Sequence, residues 1–307
     1  MDFYSIAGRM LSLFFIMVIG YVMRKAKVID EEANVRFTKL VLNITVPAQV
    51  LTAFLTNRGI MGTGELVFNF ALSVVAFAVY GILAVLFLMV TRVPKEQRGT
   101  YAFMTMFSNV GFMGYPVITA VFGSQAMIYA VILNVVFNLV VYSAGIAMIG
   151  GGSGTFRFHP RVFLNIPLGA SLISILLYFT RITFPAPVME SLNYLGNVTT
   201  PVAMLVLGST IASMPVKELF DDWRIYLFTA FRLLVIPFVI YLLLKLVHPA
   251  SDLMKGTLII LSAMPVATNS TMLAIEYKGD VHLASKGVFF STILSVLSIP
   301  FMAMLCQ

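Results

Sequence analysis

Runs of about twenty apolar residues recur from one end of the chain to the other, each closed by a short polar or basic stretch. That length matches helices crossing the hydrocarbon core of a bilayer. The pattern predicts helices over 4–23, 37–56, 66–91, 99–122 and 125–149, then over 161–180, 193–213, 222–247, 255–277 and 282–304. These ten spans fall into two groups of five. Between them lies GGGSGTFRFHP, residues 150–160, a Gly- and Ser-rich connector that cannot build a packed structure of its own. The organisation expected is therefore 1–149, a connector at 150–160, and 161–307.

Two spans break the apolar pattern. The fourth carries MFSNVGFMGYP, with Ser108, Asn109, Gly111, Gly114 and Pro116; the ninth carries Pro265, Thr268, Asn269, Ser270 and Thr271. Irregular backbone at membrane depth is tolerated only where it is buried in protein or lines a cavity. The two halves also echo each other. NITVPAQVL at 43–51 and NVTTPVAML at 197–205 share Asn-x-Thr-x-Pro, 154 residues apart. Arg98-Gly99-Thr100 opens the fourth span and Lys255-Gly256-Thr257 the ninth, 157 residues apart. Because five is odd, the halves enter the membrane from opposite sides, which is the signature of an inverted-topology repeat. Breaks at corresponding places in inverted halves point to crossing discontinuous helices, whose freed N–H groups and half-helix N-termini can hold an anionic group. The alternative is that Gly and Pro are simply common in membrane helices and that Asn109 and Asn269 join helices by hydrogen bonds.

Composition agrees. Apolar residues make up 60% of the chain and charged residues 11%, against roughly 25% charged in soluble domains. Of the basic residues at span ends, thirteen (Arg24, Lys25, Lys27, Arg36, Arg92, Lys95, Arg98, Arg157, Arg161, Lys217, Arg224, Lys278, Lys286) fall on one side and four (Arg58, Arg181, Lys245, Lys255) on the other. The positive-inside rule then puts both termini outside a cell membrane. It also accounts for the net charge of +7 without nucleic acid. The start, MDFYSIAGR, has no small-residue cleavage site, so the first span is expected to be retained. Cys306 stands alone, and His159, His248 and His282 are scattered over loops, so no disulfide, metal site, catalytic triad or cofactor is expected. An intramembrane enzyme would need a nucleophile, base or metal cluster at depth, and none is visible.

The fragments FSNVGFMGYPVITAVFG, TPVAMLVLGSTIA, RLLVIP and MPVATNSTMLAIEYKGD, in this order and spacing, resemble the auxin efflux carrier family, within the larger group that holds the bile acid–sodium symporters. The resemblance covers essentially the whole chain. It implies an all-α membrane fold of ten helices in two inverted five-helix repeats, with a scaffold from helices 1, 2, 6 and 7 and a transport domain from helices 3–5 and 8–10. It also implies a substrate held where helices four and nine cross, near Pro116 and Pro265, and an elevator-like displacement. Family substrates are organic anions: auxin-like monocarboxylates, or dicarboxylates of the malate and malonate type. A homodimer is implied on the same analogy, and coupling to H+ or Na+ is left open.

The substrate-binding candidates are thus Ser108, Asn109, Gly111, Pro116, Pro265, Thr268, Asn269 and Ser270, with Asn43, Pro47 and Thr199 as residues that line the scaffold face or serve only as kink and glue. Arg232, about ten residues into the eighth span, is too deep to face lipid. It either balances substrate charge or caps carbonyls at the helix breaks. The carboxylates cluster at span ends; Glu276, ending the ninth span near His282, is the best coupling candidate among them. Arg9 is expected to snorkel to the outer surface. A sodium-coupled symporter of a larger amphipathic acid is the alternative reading, and a channel is the remaining one.

Overall fold

The computed structural model describes residues 3–149, 166–180, 182–213, 222–249 and 251–304. The connector 150–160 lies outside them, as do Arg161, Arg181, Lys217 and Cys306. Among the described residues the chain is helical, with no strand: α1 (Phe3–Lys25), α2 (Glu31–Thr56), α3 (Thr63–Val90), α4 (Arg98–Met106), α5 (Val110–Phe122), α6 (Ser124–Ile149), α7 (Ile166–Phe179), α8 (Ala186–Ser213), α9 (Trp223–Val247), α10 (Asp252–Ser262), α11 (Asn269–Glu276) and α12 (Val281–Met304). By length and apolarity α2, α3, α6, α8, α9 and α12 can each cross a membrane.

Within the described residues each stretch marked by hydropathy falls on helix, and the fourth and ninth are each split in two. The second helix starts earlier than hydropathy suggests, because Asp30 accepts a hydrogen bond from the Ala33 N–H at 2.7 Å and begins a polar first turn. Asp222 and Asp280 cap α9 and α12 in the same way, at 2.9 Å each. Carboxylates at span ends are therefore, in these three cases, helix caps.

Five-residue π-helical turns interrupt α2 (Val41–Thr45), α6 (Val141–Gly145) and α9 (Phe231–Val235) and open α5 (Val110–Gly114). In α2, α5 and α9 a proline follows two residues later: Pro47, Pro116 and Pro237. Proline has no N–H and its ring crowds the carbonyl one turn back, so a widened turn relieves the clash and leaves the helix running. In α6 the Ser143 hydroxyl takes the place of the proline, donating to Leu139 O at 2.6 Å.

The chain divides into two compact units. Unit 1 comprises Met1–Asn69, Gly111–Val135 and Arg161–Ser213. In it α1 lies along α8, and α7 packs on α2, which also packs on α8. The approach is close. A Cβ on Gly20 would run into the Leu205 backbone, one on Gly208 into the Met17 carbonyl, and one on Gly196 would come within 3.0 Å of Gln49 Cα. Arginines close helix ends here: Arg9 donates to Ala120 O at 2.6 Å at the end of α5, and Arg58 to Ile182 O at 2.5 Å beyond α7. Arg9 therefore does more than reach for the surface.

Unit 2 comprises Phe70–Val110, Val136–Pro160 and Met214–Gln307. Here α12 packs against α4, α9, α10 and α11. Phe107 packs on Phe103, Phe137 and Phe77, with ring centroids 4.5, 5.3 and 5.9 Å apart. Gly145 gives these rings room: a Cβ there would lie 3.0–3.1 Å from Phe107 and Phe103. Lys286, one of the basic residues near a span end, is buried in the second turn of α12.

Candidate functional site

The two helix breaks meet inside unit 2. α4 ends at Met106, and Phe107 is extended at φ −110°, ψ 107°. α10 ends at Ser262, and the chain runs through Pro265 and Val266 before α11 begins at Asn269. The two irregular stretches pair as a short antiparallel ribbon centred on Ser108 and Val266. Asn109 N–H donates to Pro265 O at 2.8 Å, and Ala267 N–H to Phe107 O at 3.0 Å. Because these bonds flank the Ser108–Val266 pair, that pair directs its own N–H and C=O groups away from the ribbon. The Val266 N–H finds the Ser291 hydroxyl on α12 at 3.0 Å, and Ser291 in turn donates to Gly287 O at 2.6 Å. Val110 N–H returns to Ser108 O at 2.8 Å. Backbone that would be ruinous in lipid is thus stitched into protein.

Four helix ends converge on this ribbon: the C-terminal ends of α4 and α10 and the N-terminal ends of α5 and α11. The N-terminal ends carry unsatisfied N–H groups and the positive end of the helix dipole. Asn109, at the entry to α5, is only 3% exposed, and its side-chain Nδ2 has no protein acceptor. Ser270 is fully buried, its hydroxyl donating to Ala267 O at 2.5 Å and tying the first turn of α11 to the break. Thr268 is half-buried and Asn269 exposed, so the two asparagines at the breaks have unlike surroundings. Glu276 is the exposed last residue of α11.

Arg232 sits in the π turn of α9, 1% exposed. Its Nη1 donates to Ser262 O at 2.8 Å, the carbonyl that ends α10. Nε and Nη2 have no protein acceptor.

The remaining candidates lie in unit 1. Gly111 is half-buried with open space around it, and Pro116 is buried at the second position of the helix that follows the π turn of α5. α8 packs against the π turn of α2 that holds Asn43 and against the segment that holds Pro47. Asn43 and Asn197 are both exposed, whereas Thr45 and Thr199 are both buried, so the two Asn-x-Thr-x-Pro motifs present the same residue types inward and outward. Among the described residues no cluster of His, Cys, Asp and Glu is placed to hold a metal ion. Ser291 and the four π turns escaped the sequence reading. The prolines marked three of those turns, and the serine was one hydroxyl among several along α12.

The model of a family described as "Membrane transport protein" matches residues 5–161 and 155–303. The chain belongs to this transporter family, that of the auxin efflux carriers. It is 27% identical over 303 residues to an "Uncharacterized transporter" of Methanothermobacter thermautotrophicus, covering 98% of each chain. Against another uncharacterized transporter, from Methanocaldococcus jannaschii, it is 26% identical over 293 residues, 92% of this chain and 93% of that one. A protein of Rhizobium meliloti described as "Putative malonate transporter" is 21% identical over 237 residues, 73% of this chain and 72% of its own. This auxin efflux carrier family member is accordingly a multi-pass helical membrane protein.

Proposed function

We propose that the protein is a secondary transporter that binds a small organic anion at the crossover of α4/α5 with α10/α11 and carries it by an elevator-like displacement. The observation that carries this reading is the buried Asn109 amide without a protein acceptor, beside the N-terminal ends of two half-helices. Both supply donors and positive potential, which a carboxylate requires. The name of the Rhizobium relative favours a short dicarboxylate such as malonate over an auxin-like monocarboxylate.

The same reading makes the ten segments two inverted five-helix repeats. Its support is a reciprocal packing: the first helix of each half lies on the second helix of the other, α1 on α8 and α7 on α2. α1, α2, α7 and α8 lie whole within unit 1, which fits a scaffold, and the paired breaks at Ser108 and Val266 lie within unit 2, which fits a transport domain, whereas α5 from Gly111 and α6 as far as Val135 group with unit 1. Both termini outside a cell membrane, a homodimer, coupling to H+ or Na+ through Glu276 and charge balance by Arg232 complete the proposal.

Counterflow in proteoliposomes tests it. Internal malonate should accelerate uptake of labelled malonate, saturably; a linear, non-saturating flux would mark a channel. Sodium dependence, with preference for a bulky amphipathic acid, would favour the bile-acid-like symporter.

A further inference from the structure

We infer that the Nε–Nη2 edge of Arg232 is the seat of the transported anion's carboxylate. The inference rests on the proposed function and names the residue that recognises the cargo.

Arg232 is the tenth residue of α9, near the middle of a helix of 25 residues. Its guanidinium is planar and offers donors on fixed edges. Nη1 is committed to the carbonyl that closes α10. The donors left over, Nε and Nη2, share one edge, where two parallel N–H groups match the two oxygens of a carboxylate. Among the described residues no carboxylate pairs with Arg232. A buried guanidinium lacking a counter-charge is costly, and capping one carbonyl uses a single donor. A lysine or an amide would serve as a cap. A free bidentate edge is what carboxylate recognition adds to that requirement.

The edge also belongs to the crossover. Ser262, which anchors Nη1, is three residues before Pro265, whose carbonyl holds the Asn109 backbone. Three residues of chain span at most about 10 Å. The guanidinium and the Asn109 backbone are thereby both tied to the second break, on carbonyls three residues apart.

The test is calorimetric titration of malonate and of its diamide into wild-type protein and into the Arg232→Lys and Arg232→Gln variants. Each variant retains a donor for the Ser262 carbonyl but cannot present the fork, so a protein that folds from either one suffices. The expectation is malonate binding to wild type, no binding of the diamide, and malonate affinity at least about tenfold weaker in the variants. Variants that fold and bind malonate as wild type does would overturn the assignment of Arg232. A wild type that binds no carboxylate would instead overturn the anion reading itself.

Discussion

The two broken helices solve one problem in two ways. In the first, three residues separate α4 from α5, the terminal Phe107 carbonyl is closed by backbone from the opposite break, and aromatic rings with Gly145 hold the bend in place. In the second, six residues separate α10 from α11, the terminal Ser262 carbonyl is closed by the Arg232 side chain, and Ser291 from α12 takes up the Val266 N–H. The first break is shaped by packing and the second by polar side chains. Charge at the crossover therefore enters with the second break, and the buried, unpartnered amide of Asn109 with the first. The proposed anion site, which calls for both a cation and neutral donors, draws on both breaks.

If packing shapes the first break, the largest single effect comes from filling its glycine. Gly145→Leu forces a side chain into the Phe103 and Phe107 rings and should cost about 3 kcal/mol, read as a lower melting temperature in detergent. Ser291→Ala sharpens the second half of the comparison. It leaves the Val266 N–H buried without an acceptor and should cost about 2 kcal/mol, while Ser291→Thr, which keeps the hydroxyl, restores part of it. Gly111→Ala is the smallest. A Cβ there meets nothing within 4 Å and its φ is not positive, so stability should change by less than about 0.5 kcal/mol. A large loss in that variant would show that the first break depends on more than packing.

The sequence made the breaks legible because Asn, Gly, Ser and Pro at membrane depth have few other uses, and because they recur half a chain apart. Helix positions were legible from apolar run length. The start of α2 was not, because an Asp cap and a polar first turn carry no hydropathy signal. Nor was the unlike fate of Asn109 and Asn269. The repeat suggests equivalence, but three residues of break against six place one asparagine inside and the other at the surface. Ser291 lay hidden because it bonds its own helix backbone as Ser143, Ser171 and Ser174 do, and the Val266 N–H it also accepts comes from a residue 25 positions away. The role of Arg9 at the end of α5 was invisible for a related reason: its partners are carbonyls, which any residue supplies.

The most direct test of the central claim is the thermal shift produced by malonate, with and without sodium, in wild type and in Asn109→Ala. Because Nδ2 of Asn109 has no protein acceptor, the variant should keep its melting temperature to within the effect of about 1 kcal/mol. A ligand that binds only the folded state raises the melting temperature by mass action, so wild type should be stabilised and the variant should lose most of that shift. An undiminished malonate shift in Asn109→Ala would contradict the account, leaving that asparagine a packing residue and the anion bound elsewhere.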